Sequence, residues 1–255
     1  MIAGALRFWK RAGAALALLA AACGGPDLDR LAEGERGRVA LVRSGHTLVL
    51  EDGLVVRLAG VEAPAPDEPF GPEARERLEA VALGKDVRLL YGGARRDGYE
   101  RALAHVRLVS GRRWVQGELL KSGAARVRTW PDNRALAAEM LRIEAGARLK
   151  ERGLWAEPAY QVRLPKEAEA ARGLTLVEGR VTAAEDGYSG VSLELGDALE
   201  VEVPGRALQD FRAAGVEPER LEGRLVRVRG WLRRARGAPA IRADHPEQIE
   251  LLREP

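Results

Sequence analysis

The stretch Arg57-Leu-Ala-Gly-Val-Glu62-Ala-Pro-Ala-Pro66 joins the end of an apolar run to a loop that prolines interrupt. It places a guanidinium and a carboxylate close together where the predicted strand ends. A turn precedes it and a polar loop follows it, Val42-Arg-Ser-Gly-His-Thr47 and Arg96-Asp-Gly-Tyr-Glu-Arg-Ala-Leu103. The second loop supplies another guanidinium, Arg101, and two such groups can bind one phosphate in bidentate fashion. The three segments therefore predict a site for phosphate and metal ions.

The pattern around this stretch is that of a small β-barrel with added helices. Three strand-like runs lead to a helix that Gly71-Pro72 opens and Gly84 ends, followed by two more runs and two helices. The predicted strands are Arg38–Arg43, Thr47–Glu51, Val55–Ala59, Asp86–Tyr91 and Ala102–Val109, and the later helices are Val115–Lys121 and Asn133–Arg152. The predicted buried helix faces include Leu78, Val81 and Leu83, and then Leu136, Met140, Ile143 and Leu149. This order is typical of the five-stranded Greek-key barrel of the oligonucleotide-binding type.

A second pattern of strands and turns follows a charged linker, residues 156–173. The predicted strands are Leu174–Thr182, Val191–Leu195, Leu199–Val203 and Leu225–Leu232, with a helix at Arg206–Ala214 and a last short strand at Ile249–Leu251. This order repeats the plan of the first barrel, so residues 174–255 are predicted to form a second small barrel of the same type. The fold class is therefore expected to be mainly β with α, an α+β protein.

The order and spacing of these blocks resemble the staphylococcal nuclease (thermonuclease) family, over residues of about 37–155. Enzymes of that family hydrolyse phosphodiesters with a calcium ion held by two aspartates and a backbone carbonyl. Two arginines bind the phosphate and a glutamate is the general base. The resemblance implies catalytic roles for Arg57, Arg101 and Glu62. It implies substrate contacts for the aromatic residues Tyr99 and Trp130, although core packing is an equally open reading of both.

Two positions depart from the pattern that the resemblance implies. His46 stands where a metal-binding aspartate is expected, and Ala65 stands where the general base is expected. Glu62 keeps an oxygen ligand, either for a metal ion or as a plain ion-pair partner. Calcium prefers oxygen ligands and imidazole suits softer metals, so a site of Glu62 and His46 disfavours calcium and leaves zinc, manganese or no metal open. Asp67 or Glu68 is the remaining candidate for an acid from the same loop.

The second region contains two further candidate segments. The block Arg227–Arg236 interleaves arginines with Trp231, a pattern that either binds a nucleic-acid strand or forms an exposed strand with solvated arginines. His245-Pro246 is predicted to be a structural turn. Residues 37–155 carry 21 basic and 16 acidic residues, against 15 and 18 in residues 156–255. Only the first region therefore leans toward phosphate-bearing partners.

The first 22 residues have the pattern of a signal peptide. Arg7, Lys10 and Arg11 precede the uncharged run 12–22, which is shorter than the roughly 20 apolar residues that cross a bilayer. Cys23, the single cysteine, follows Leu19-Ala-Ala-Ala22, as in a bacterial lipoprotein cleavage box. We expect a lipid anchor at Cys23 that tethers the protein to a membrane of the cell envelope through residues 23–36. A soluble secreted protein is the alternative.

Three functions remain open from the sequence. The preferred one is an envelope protein that binds DNA, RNA or another phosphodiester, with hydrolysis weakened or lost because of Ala65 and His46. The second is an active metal-dependent nuclease of the thermonuclease type. The third is a lipoprotein scaffold that uses both barrels for protein contacts, with Arg57 and Glu62 as an ordinary ion pair. Fold alone does not choose among them.

Overall fold

A computed structural model describes residues 27–171, 173–235 and 237–252. The predicted signal peptide and Cys23 lie outside the described residues. The first barrel region contains strands β1 Ala32–Ser44, β2 Thr47–Leu50, β3 Val55–Leu58, β4 Val61–Glu62, β5 Asp86–Tyr91, β6 Ala102–Leu108 and β7 Arg126–Val127, with helices α1 Gly71–Ala82, α2 Val115–Ser122 and α3 Ala137–Arg148. Within the described residues, no helix is both long and apolar enough to cross a membrane.

The first barrel closes in the order β1-β2-β3-β6-β5, and β5 returns to β1. The β3–β6 pair is parallel, and it places Arg57 opposite Leu103. Alternating apolar residues of these strands fill the interior, where Leu48, Leu58 and Leu89 are fully buried. Burying one such side chain stabilises the fold by about 1.5–3 kcal/mol, so the barrel is a firm support for the loops at its end.

Gly60 fixes the path of the chain between β3 and β4. Its φ angle is +75°, and a Cβ atom there would lie 2.4 Å from the Cε atom of Met140 in α3. Only glycine combines this backbone conformation with that close approach at no steric cost. The turn therefore carries the chain from Leu58 directly to Glu62 while α3 packs against its outer side.

The second region repeats the pairing plan of the first. Its elements are β8 Leu174–Gly187, β9 Gly190–Leu195, β10 Leu199–Pro204, α4 Leu208–Ala213, β11 Leu225–Ala235, β12 Ala238–Arg242 and β13 Ile249–Leu251. The strands pair in the order β8-β9-β10-β12-β11, and β11 also pairs with β8, which closes the ring. The β10–β12 pair is parallel, as β3–β6 is. The predicted fold class, mainly β with α and two barrels of the oligonucleotide-binding type, is confirmed.

Several boundaries differ from the sequence-based expectation. Strand β1 begins at Ala32 and pairs with Tyr91, so residues 32–36 are strand where a tether was expected. Helix α3 begins only at Ala137 because Leu136 has a φ of +60°, and Leu149 beyond its end is exposed. Leu83, expected in the core, is also exposed. Strand β12 was not predicted, because a proline stands in its short apolar run and proline normally argues against a strand.

The linker, of which the structure describes residues 156–171 and 173, packs against both barrels. The hydroxyl of Tyr160 donates to the carbonyl of Pro69 at 2.6 Å, and its ring lies 4.7 Å from the guanidinium of Arg126. That guanidinium also donates to the carbonyl of Leu174 at the start of β8. Leu176 joins Tyr160 in a small apolar cluster between the barrels. The linker is therefore part of the interface.

A buried ion-pair network joins the barrels directly. Arg229 of β11 and Glu144 of α3 are 2% and 0% exposed, and they share two hydrogen bonds of 3.2 and 2.7 Å. Glu250 accepts a third at 2.7 Å. Burial lowers the pKa of Arg229, but the two carboxylates more than offset that effect and raise it above its ordinary value. Such a network is costly to break from one side, because an unpaired charge is then left in the interior.

His245 lies in the same interface. Its Nε2 atom is 3.1 Å from the carbonyl oxygen of Thr129, and its Nδ1 atom is 3.0 Å from the carboxylate of Glu247. The same carboxylate accepts hydrogen bonds from Arg134. These contacts tie the turn at His245-Pro246 to the segment after β7, so His245 has the structural position that its sequence context predicts.

Candidate functional site

A cleft of about 460 Å³ opens at the end of the first barrel where β3 gives way to the loop. The β1–β2 turn, the end of β3, β4, the loop before β6 and the segment after β7 all contribute to its lining. The structure brings together in it all six predicted site residues, His46, Arg57, Glu62, Tyr99, Arg101 and Trp130. The cleft also contains Arg128, which sequence reasoning missed.

Arg57 lies at the floor of the cleft and is almost fully buried. Its Nη1 atom donates to the carbonyl of Leu58 at 2.6 Å, and its Nη2 atom donates to Oε2 of Glu62 at 2.8 Å. Burial lowers its pKa to about 10, which leaves the guanidinium charged at neutral pH. Arg57 therefore holds the carboxylate of Glu62 in place from below.

Arg128 binds the same carboxylate from the other side. Its Nη1 atom donates to Oε2 of Glu62 at 3.0 Å. The antiparallel pairing of β4 with β7, continued by the hydrogen bond from the Arg128 amide to Gly60, sets this approach. Burial raises the pKa of Glu62, but the charges of Arg57 and Arg128 outweigh burial and hold it below its ordinary value. Glu62 is thus a carboxylate with two guanidinium partners on one oxygen.

His46 uses one ring nitrogen to hold the loop. The amide of Ala63 donates to its Nδ1 atom at 3.0 Å, so the lone pair of that nitrogen is occupied. Burial, followed by the nearby charge of Arg57, lowers the pKa of His46 to about 4. At neutral pH the ring is therefore uncharged, and its single proton is on Nε2. The nearest carboxylate oxygen, Oε1 of Glu62, is 3.9 Å from Nδ1.

The donor set of the cleft does not fit a divalent metal ion. Calcium takes six to eight oxygen ligands, and zinc takes about four ligands of nitrogen, sulfur or oxygen. Across the described residues, no group of three or more His, Cys, Asp and Glu side chains is placed to hold a metal. Glu62 already accepts two charged hydrogen bonds, and Nδ1 of His46 is occupied. The predicted pair of Glu62 and His46 is therefore close in space but short of a metal site.

The loop acids do not replace the missing base. The carboxylate of Glu68 accepts a hydrogen bond of 2.7 Å from the amide of Ala65, so it closes its own turn. Asp67 and Glu68 are both exposed, and neither lines the cleft. Ala65 itself has no titratable group. The proline-marked loop therefore offers the cleft no proton acceptor.

Arg101 and Tyr99 form the outer wall of the cleft. Asp97 accepts hydrogen bonds of 2.7 Å from Nε of Arg101 and of 2.9 Å from the amide of Tyr99. The guanidinium of Arg101 is 5.3 Å from the ring centre of Tyr99, whose side chain is 82% exposed. Tyr99 is therefore not a core residue, and its ring is free to contact a ligand. Core packing is excluded for this position.

Trp130 stands behind Arg128 at the opposite wall. The guanidinium of Arg128 is 4.4 Å from the ring centre of Trp130 and 5.3 Å from that of Trp231 in the second barrel. Arg57 approaches Trp130 from the floor at 5.7 Å. The indole of Trp130 thus supports two arginines of the cleft through cation–π contacts.

The balance of charge in the cleft is positive. Four arginines and three acids line it, and His46 is neutral, which leaves one net positive charge. The arginines are Arg57, Arg96, Arg101 and Arg128, and the acids are Glu62, Asp97 and Asp132. Arg128 was missed because its contact with Glu62 depends on the β4–β7 pairing. The only signal in the sequence is the alternation Arg126-Val-Arg128 just before Trp130.

Comparison with known proteins identifies the family of the chain. The family model described as staphylococcal nuclease homologue matches residues 55–157. The chain is 37% identical over 115 residues to "Probable endonuclease LCL3" of Pyricularia oryzae, a match that covers 39% of this chain and 42% of that protein. It is 34% identical over 164 residues to "Protein ParB" of Escherichia coli, covering 58% and 84%. It is 30% identical over 131 residues to "Thermonuclease" of Staphylococcus intermedius, covering 48% and 77%. The predicted resemblance is confirmed, and the chain belongs to the staphylococcal nuclease homologue family.

Proposed function

We propose that the protein binds nucleic acid, or another phosphodiester, in the cleft of Arg57, Arg101 and Arg128, and that it hydrolyses the bond slowly or not at all. The observation that carries the proposal is the double pairing of Glu62 with Arg57 and Arg128. Two guanidinium groups therefore bind the carboxylate that the family resemblance implies to be a metal ligand. The nuclease names of two of the relatives support a role at phosphodiesters.

The cleft is built to receive an anion from one side. Arg57 is too deeply buried to reach a polymer freely, and it serves chiefly to fix Glu62. Arg101 and Arg128 are partly exposed, and the exposed ring of Tyr99 lies beside the first of them. Guanidinium groups bind phosphate oxygens through charge-assisted hydrogen bonds, which are about twice as strong as neutral ones. A phosphate between Arg101 and Arg128 would be held by both walls.

Hydrolysis requires a group that takes a proton from water, and the cleft lacks an effective one. Glu62 is bound by two arginines, and the pKa of its carboxyl lies below the ordinary value. Burial raises the pKa of Asp97, but its hydrogen bonds, that from Arg101 first, lower it overall. His46 has a pKa of about 4, and the lone pair of its Nδ1 atom already accepts a hydrogen bond from the amide of Ala63. A base with a pKa far below the working pH is inefficient, and losing a positioned base typically costs about 10²- to 10⁴-fold in rate.

The test is a binding titration of the protein with single-stranded DNA and RNA at several salt concentrations. We expect an affinity that falls as salt rises, because bound phosphates release counterions. Arg101→Ala should weaken binding, whereas Arg220→Ala, at an exposed position paired with Glu217, should not. Absence of any salt-sensitive binding would refute the proposal.

The same samples should be incubated with calcium, manganese or zinc to measure strand cleavage. We expect slow cleavage at most, and the control is a variant that lacks both wall arginines, Arg101→Ala with Arg128→Ala. Rapid cleavage that the double substitution abolishes would show an active nuclease instead. Cleavage that the double substitution leaves unchanged would indicate a contaminating enzyme.

We also propose that the protein is exported and anchored in the cell envelope by a lipid at Cys23. The support is the basic and apolar pattern of the first 22 residues and the small residues before Cys23. Labelling cells with a traceable fatty acid should mark the wild-type protein, and Cys23→Ser should abolish the label and release the protein from membranes. An equal label in both would rule out this anchor.

A further inference from the structure

We infer that the binding surface continues from the phosphate cleft into the groove between the two barrels, where Trp231 stacks on a base of single-stranded nucleic acid. The inference rests on the proposed function, since it concerns the same bound strand. It adds a contact from the second barrel, which lies outside the matched family region 55–157.

The groove adjoins the phosphate cleft. It has a volume of about 230 Å³ and is lined by the segment after β7 on one side and by β11 and the turn before β13 on the other. Arg128 and Trp130 line both spaces. The two spaces are therefore adjacent, and a polymer that leaves the cleft past Arg128 reaches the groove next.

Trp231 has the features of a stacking platform. It lies on β11 opposite Leu174, and 50% of its surface is exposed although it is a large apolar side chain. Its ring centre is 5.3 Å from the guanidinium of Arg128. An aromatic face beside an arginine is the combination by which single strands are bound without sequence preference, through stacking of bases and attraction of phosphates. The unpaired bases of a single strand can stack there, whereas those of a duplex are already stacked.

The groove also carries positive charge. Four arginines and one aspartate line it, Arg128, Arg229, Arg233, Arg242 and Asp244. Arg229 is committed to Glu144 and Glu250, and Arg233 contacts Glu202. Arg242 shares the single carboxylate of Asp244 with Arg206, which lies outside the groove, so these three residues at the edge of the groove have one positive charge in excess. This excess and that of the cleft lie on the same path, as a phosphate backbone requires.

The two sides of the groove are fixed to each other by direct contacts. Its two sides are joined by the buried pair of Glu144 and Arg229 and by the contact of His245 with the carbonyl of Thr129. The ion pair of Arg134 with Glu247 adds a third connection. Contacts that fix the two sides in place lower the ordering cost of binding a strand between them.

The experiment compares two ligand lengths, a dinucleotide and an oligothymidylate of about twelve nucleotides, which is within the usual site size of such barrels. Trp231→Ala should weaken binding of the long strand by about 5- to 150-fold and leave the dinucleotide unaffected. Trp231→Phe should retain most of the affinity, because it keeps an aromatic face. Tyr188→Ala is the matched control, since Tyr188 is an exposed aromatic of the second barrel that does not line the groove.

The outcomes separate the inference from the proposed function. If Trp231→Ala binds the long strand like the wild type while Arg101→Ala weakens both ligands, the extended groove is refuted and the phosphate cleft stands. If neither substitution changes the binding of either ligand, the proposed function fails as well. A loss in Trp231→Ala that Trp231→Phe restores, with Tyr188→Ala silent, supports the inference and excludes a mere folding defect.

Discussion

Arg128 donates a hydrogen bond of 3.0 Å to Glu62 across a separation of 66 residues. The bond joins β4 to the segment after β7, and it brings a second positive charge to a carboxylate that Arg57 already holds. The family resemblance implies a metal at this carboxylate. In this protein, two side-chain cations take that place.

The first prediction concerns the charge of Arg128. Arg128→Ala should lower the affinity for single-stranded DNA and reduce the slope of log affinity against log salt by about one, since one phosphate contact is lost. The measurement is a titration at several salt concentrations. Arg220→Ala removes an equal charge from an exposed position outside the cleft and should leave the slope unchanged. Equal slopes in all three proteins would show that Arg128 does not contact phosphate.

The second prediction is a loss of stability in acid that depends on His46. The pKa of His46 is about 4 in the folded protein against 6.5 in an unperturbed imidazole, so the unfolded chain binds more protons between these values. Stability should therefore fall as the pH drops from 6.5 to about 4, by on the order of 3 kcal/mol from this residue. Below about pH 4 His46 is protonated in both the folded and the unfolded chain, so this loss of stability is complete.

His46→Gln should remove this part of the pH dependence, because glutamine does not titrate. Urea unfolding across the pH window gives the free energy for both proteins. Buried His105, whose pKa burial also lowers to about 4, is present in both and cancels in the comparison. If the free energy of unfolding depends on pH in the same way in both proteins, a residue other than His46 takes up the proton.

The third prediction is a gain of function. His46→Asp supplies the metal-binding aspartate that the family resemblance implies, and Ala65→Glu supplies the general base. The double variant should bind calcium and cleave single-stranded DNA at least about 10²-fold faster than wild type. The matched control is His46→Asp with Ala65→Gln, which keeps the shape and lacks the proton acceptor. If calcium binds both variants and neither cuts DNA, the absence of a base is not what limits the natural protein.

The fourth prediction concerns the buried network. Glu144→Gln leaves Arg229 buried with Glu250 as its one charged partner among the described residues. It should lower the free energy of unfolding by about 3 kcal/mol, near the lower end for a broken buried pair. The exposed pair of Arg212 with Glu219 is the control, and Arg212→Ala should cost less than about 1 kcal/mol. Urea denaturation measures both. Similar losses would show that burial does not strengthen the network.

Much of the fold could be predicted because it is encoded locally. Alternating apolar residues and glycine turns mark the strands of both barrels, and the parallel pairing of β3 with β6 brings Arg57 to the loop that carries Arg101. The predicted site residues therefore meet in one cleft. Their roles in binding or chemistry stay predictions until the variants are measured.

What escaped prediction depends on contacts distant in sequence. Arg128 is a site residue only because β7 pairs with β4, and two-residue strands have no periodic signature. Arg229 looks like one more strand arginine in the Arg227–Arg236 block, yet it is sealed against Glu144 of the other barrel. Strand β12 contains a proline, and only its partners β10 and β11 identify it.

The apolar cluster between the barrels bears on how the protein can be dissected. Leu154, Trp155 and Tyr160 are covered by Leu176 of the second barrel. A chain cut after Trp155, where the family pattern ends, would expose this apolar surface and remove Arg229, the ion-pair partner of Glu144. Such a fragment is prone to aggregate, so its binding and stability would differ from those of the intact protein. Experiments on the first barrel should therefore use a protein that includes the second barrel.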